Sequence, residues 1–131
     1  MNLLFYATGE KGTGKHLWNL HQELASEYKG DFCRTIDTLS LKLRKSLGDL
    51  TIAVLLAESQ EELLEFISIK NWLEDIRIIL ILPDREKDTI SIGLKLYPRF
   101  FSYADSNLQD VDAVLKKMIG NINSNYNHTN H

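Results

Sequence analysis

LTIAVLLA, residues 50–57, and IRIILIL, residues 76–82, are short, almost wholly apolar and rich in branched side chains. A strand with one wet face alternates apolar and polar positions. A run without that alternation fits a strand covered on both faces, which is the situation of a parallel sheet. Pro83 and Asp84 end the second run.

Outward from this pair, short apolar runs alternate with amphipathic segments five times along the chain. Residues 2–8 (NLLFYAT), 32–36 and 100–103 complete the set of expected strands. Between them, Leu17, Leu20, His21, Leu24 and Tyr28 recur at helical spacing, and Gly30 with Asp31 is expected to end that helix. Thr38 is placed to cap a second helix carrying Leu39, Leu43 and Leu47, with Gly48 at its C-cap. Ser59 and Glu62 form a capping box before Leu63, Leu64, Phe66, Ile67 and Trp72. Residues 87–96 read least clearly as helix, because Thr89, Ile90, Ile92 and Gly93 all oppose it. Asp105 or Ser106 caps a last helix with Leu108, Val111, Leu115 and Met118 on one stripe, closed by Gly120.

This alternation predicts an α/β fold: a three-layer, doubly wound, five-stranded parallel sheet of order 2-1-3-4-5. Residues 1–120 form the expected domain, and the asparagine-rich residues 121–131 are expected to be a disordered tail. In such a sheet, ligands sit at the carboxyl edge, so the informative loops follow Thr8, Ile36, Ala57, Leu82 and Tyr103.

The net charge of −3 argues against a nucleic-acid partner, which would call for a basic excess, and leaves Lys42, Arg44 and Lys45 as a solvated helix face. Cys33 is the only cysteine, which excludes an intrachain disulfide and suggests a buried thiol. The run at residues 3–7 is too short for a signal-peptide core, and no stretch approaches the ~20 apolar residues of a membrane span. A soluble, cytoplasmic domain without a membrane partner is the expectation.

In element lengths, and in the passage Gly93-Leu94-Lys95-Leu96 followed by Phe101-Ser102-Tyr103, the chain resembles a response-regulator receiver domain. The resemblance covers residues 2–121 and is one of layout. It implies a flavodoxin-like fold and, in active receivers, an acidic pair after the first strand, an acceptor Asp after the third, Thr or Ser after the fourth and Lys after the fifth. Ala7 and Thr8, Leu56 or Ala57, Leu82 or Pro83, and Ala104 stand there instead. A degenerate receiver, a pseudo-receiver without aspartyl phosphorylation, is therefore the expectation. It needs no cofactor and is read as a binding module rather than an enzyme, serving protein interaction and regulation in signalling.

Residues 9–16, GEKGTGKH, match G-x-x-x-x-G-K but carry His16 where a nucleotide-binding loop has Ser or Thr for Mg²⁺. A tight strand-to-helix turn explains the stretch. The alternative is a small nucleotide- or phosphate-binding domain using Gly9, Gly12, Thr13, Gly14 and Lys15. Glu10, Glu58, Asp84 and Asp105 each follow an expected strand and could together hold a cation, although caps and turns account for each singly. His16 and His21 lack the i, i+4 spacing of a helical zinc pair, and His128 and His131 fall in the tail, so no metal site is assigned to them.

No Ser-His-Asp or Cys-His arrangement can be assembled, and no catalytic residue is assigned. Tyr97, Arg99, Phe101 and Tyr103 concentrate aromatics and an arginine around the expected edge strand, the residue types enriched at interface hot spots. The receiver resemblance implies that this fourth-helix, fifth-strand, fifth-helix face serves a homodimer or another protein partner.

Overall fold

The computed structural model describes the backbone of residues 1–45 and 50–129 and the side chains of residues 1–45 and 50–123. Five strands, β1 (Asn2–Tyr6), β2 (Lys29–Cys33), β3 (Thr51–Leu56), β4 (Arg77–Leu82) and β5 (Phe100–Tyr103), form one sheet. All pairings are parallel, in the order β2-β1-β3-β4-β5 of a flavodoxin-like doubly wound sheet. The helices are α1 (Thr13–Leu24), α2 (Ile36–Lys45), α3 (Gln60–Ser68), α4 (Lys70–Leu73), α5 (Lys87–Leu94) and α6 (Gln109–Thr129).

All six residues of β3 are buried, as its unbroken apolar run requires. Leu4, Tyr6, Ala53, Leu55, Leu80 and Leu82 point to a layer formed by α2, α3, α4 and α5, where they meet Leu39, Leu43, Leu63, Phe66 and Leu73. Leu3, Phe5, Ile52, Val54, Ile79 and Ile81 point to α1 and α6, meeting Leu17, Leu20, Val111, Leu115 and Ile119. The ring of Tyr6 stands edge-on to Phe66 at 5.1 Å between centroids, joining β1 to α3.

Several local expectations are corrected. The second strand runs Lys29–Cys33, not residues 32–36, and contains Gly30 rather than following it. A Cβ on Gly30 would fall 2.3 Å from the Leu3 carbonyl oxygen, so glycine lets β2 lie close to β1 instead of stopping a helix. Thr35, not Thr38, supplies the cap of α2: its hydroxyl accepts from the Thr38 N–H at 3.1 Å. Leu47 and Gly48 lie outside the described residues.

Ser59 caps α3 as expected, accepting from the Glu62 N–H at 3.2 Å, and Glu62 reaches back to the Glu58 N–H at 2.9 Å. The helix breaks at Ile69, placing Trp72 on the separate turn α4. The weakly predicted α5 exists because tertiary contacts outweigh propensity. Buried Thr89 accepts from the Gln60 amide at 2.8 Å, and a Cβ on Gly93 would meet Leu82 Cδ2 at 2.9 Å. Asn107, rather than Asp105 or Ser106, bonds the N–H at the start of α6, at 2.9 Å to Gln109. Ile119 takes the buried place expected of Met118, which stands half-exposed beside it. The backbone of α6 passes Gly120, where the sequence places the helix end, and continues to Thr129. The division of the chain at residue 120 therefore rests on composition alone. No helix among the described residues is long and apolar enough to cross a membrane.

Cys33 is fully buried, and burial, helped by the Asp31 carboxylate, pushes its thiol up to about 11. Since the thiolate is the nucleophile, iodoacetamide should leave the native chain unmodified over hours and alkylate the urea-unfolded chain rapidly. Equal rates in both states would contradict this burial.

His21 packs against Phe5, Trp18 and Phe32 at 5.5–5.7 Å between ring centroids. Burial lowers its pKa below the ordinary 6.5, with Asp31 partly opposing the shift. As pH falls, the unfolded chain takes up this proton first, so the stabilisation is present above 6.5 and is lost toward the depressed folded value. Urea midpoints at about pH 7.5 and about pH 5.5 should therefore differ less in His21→Leu than in the parent chain.

Candidate functional site

The carboxyl ends of β1, β3 and β5 are closed by alanines. Ala7, Ala57 and Ala104 donate their N–H groups to Cys33, Ile81 and Leu82 carbonyls at 3.2, 3.0 and 2.9 Å. Ala7 and Ala57 are fully buried, so methyl groups rather than carboxylates stand at the middle of this edge.

The loop from β1 to α1 folds on itself. Gly12 has a φ of 57°, the left-handed conformation that glycine tolerates without strain. A Cβ on Gly14 would fall 2.1 Å from the Gly9 carbonyl oxygen, so only glycine permits that approach. The Gly14 N–H donates to the Lys11 carbonyl at 3.2 Å, and the Thr13 hydroxyl donates to the Ala104 carbonyl at 2.9 Å. From the end of β2, the Arg34 guanidinium donates to the Ala7 and Gly9 carbonyls at 3.2 and 2.9 Å, with its carbon 4.4 Å from the Phe32 ring centroid. An anion cradle needs N–H groups converging on open space. Here the Gly9 carbonyl approaches the turn, the Gly14 N–H is engaged within it, and Lys11 and Lys15 are exposed. His16 Nε2 lies 2.8 Å from Asp112, linking α1 to α6.

The four acidic candidates remain in separate loops. Glu10 is exposed. The Glu58 carboxylate lies against Gly9, close enough that a Cβ there would sit 2.5 Å from its Oε1. Asp84 accepts from the Glu86 N–H at 3.0 Å, ahead of α5. Asp105 accepts from Arg85 at 2.6 Å, and that guanidinium also covers the Tyr103 ring at 4.2 Å. Among the described residues, no group of three or more His, Cys, Asp or Glu side chains gathers as a possible metal site.

The predicted interface residues divide. Phe101 and Tyr103 lie half-buried on the α5 side of β5, edge-to-face at 6.2 Å between centroids. Tyr97 is 80 % exposed, with the Lys70 ammonium 5.4 Å from its ring centroid, and exposed Leu94 lies a turn before it. Arg99 instead lines a cleft beside α6. Sequence reasoning missed Arg34 and Arg85, and it read Glu62 only as part of the capping box. Glu62 accepts from the Thr8 hydroxyl at 2.9 Å as well as capping α3. All three stand just after a strand or in a first helical turn, but only the sheet order shows which partner each one meets.

No protein-family model, curated protein or solved structure matches the chain.

Calorimetric titration with ATP, GTP, their Mg²⁺ complexes and inorganic phosphate should show no Lys15-dependent binding tighter than about 100 μM, roughly −5.5 kcal/mol. Tighter binding that disappears in Lys15→Ala would mean that the turn opens to receive phosphate.

Proposed function

We propose that the chain is a degenerate receiver-like domain, a protein-interaction module that works without aspartyl phosphorylation and self-associates through α5, β5 and α6. The observation that carries this reading is Tyr97. Its backbone holds a φ of 51° without being glycine, and its ring is 80 % exposed. A bulky residue in that region costs about 1–3 kcal/mol, a strain that belongs with a functional position more readily than with an arbitrary surface turn.

Leu94, 48 % exposed, lies one turn before Tyr97, and the half-buried Phe101 and Tyr103 follow it along β5. Among the described residues β5 pairs only with β4, which leaves its outer edge to a further strand. The alanines at the carboxyl edge support a role that does not require a phosphorylated aspartate. The phosphate-binding alternative through Gly9, Gly12, Thr13, Gly14 and Lys15 has weaker support, because that turn satisfies its own polar groups.

Sedimentation equilibrium should find a reversible dimer. Leu94→Asp and Tyr97→Ala should each weaken it about thirtyfold (about 2 kcal/mol) with the far-UV spectrum unchanged, while Leu41→Asp, on α2, should not. A parent chain that stays monomeric at millimolar concentration would end the self-association claim.

A further inference from the structure

The chain has five arginines, and three of them are engaged. Arg34 donates to two loop carbonyls, Arg44 lies 4.9 Å from the Trp72 ring centroid, and Arg85 holds Asp105 and covers Tyr103. The guanidinium groups of Arg77 and Arg99 have no hydrogen bond, ion pair or ring contact among the described residues. These two line the same cleft, of about 360 Å³, with Val114, Met118, Asn121 and Ile122.

The cleft is built from fixed elements. Arg77 is the first residue of β4, paired with Ile52 of β3. Arg99 enters β5 with its N–H bonded to the Ile78 carbonyl at 2.8 Å. The opposite wall is α6. Its buried stripe, Val111, Leu115 and Ile119, with Leu108 just ahead of the helix, is what the core uses. Val114, Met118 and Ile122 form a second apolar row at i, i+4, i+8, half-buried and facing the cleft beside the two arginines.

Both arginines line this one cleft, and a guanidinium presents the donor fork that suits a carboxylate or phosphate. The apolar row gives a bound molecule's carbon chain a surface to cover. The volume falls within the about 300–1,000 Å³ of ordinary small-ligand sites.

We infer that this cleft binds a small amphiphilic anion: a carboxylate or phosphate head held by Arg77 and Arg99, with its aliphatic or aromatic body on Val114, Met118 and Ile122. The site lies at the amino end of the sheet, away from the carboxyl-edge loops. It shares α6 and the start of β5 with the proposed self-association face, but the inference does not rest on that face.

The test is calorimetry on the full chain with octanoate, octyl phosphate, 1-octanol and acetate. Octanoate or octyl phosphate should bind, and whichever is tighter identifies the head group. Octanol, which lacks the charge, and acetate, which lacks the chain, should each bind at least tenfold more weakly. Arg77→Met and Arg99→Met keep much of the aliphatic stem and should each reduce affinity about ten- to hundredfold. Their far-UV spectra and melting temperatures should match the parent's, and Val114→Asp should abolish binding. Octanol binding as tightly as octanoate, no binding of either anion, or affinity unchanged in both Met variants would each overturn the assignment. Sedimentation of the same Met variants keeps this result separate from dimerisation.

Discussion

Everything in this molecule depends on β1 and β3 being covered on both faces. A parallel pair of apolar strands cannot leave either face in water, so the chain must supply two helical layers, and it crosses from one to the other as it proceeds. Close approach follows from the same demand. Gly30 lets β2 lie against β1, and Gly93 lets α5 settle onto Leu80 and Leu82. With both faces covered, side chains that are not core are left to the two ends of the sheet and its two edge strands.

The strands were legible because double burial leaves a local signature. LTIAVLLA and IRIILIL show it almost without interruption, and β5 was located to the residue. The misreadings arose where a residue's role depends on a distant partner. Gly30 looks like a helix terminator until the Leu3 carbonyl beside it is known. Thr89 and Gly93 look like helix breakers until Gln60 and the β4 leucines are brought against them. Thr35 and Asn107 were passed over as caps because neighbouring residues offered equally good side chains.

The candidate site was less legible. The glycine-rich turn was visible as a motif, but its character depends on where N–H and C=O groups point. Arg34, from the end of another strand, occupies two of the carbonyls. The acidic residues that follow the strands lie at one end of the sheet, yet each is committed locally, as Asp105 is to Arg85. The placement of Arg77 and Arg99 in one cleft opposite α6 depends on β4 and β5 being neighbours and on the helix rotation that presents Val114, Met118 and Ile122.

The two edges of the sheet are unlike. β2 begins with Lys29, Gly30 and Asp31, the last bridged to Lys42 at 3.4 Å, and its Phe32 ring is covered by Arg34. Charge and a covered ring discourage another strand there. β5, by contrast, has no charged residue within the strand, although Arg85 covers its Tyr103 ring. A sheet with two receptive edges can add copies head to tail without limit, which is the geometry of a filament. Were β5 alone receptive, a second copy could join only like edge to like edge, about a two-fold axis that uses up both surfaces. Under the self-association proposed above, the asymmetry of the edges would stop growth by strand addition at two copies.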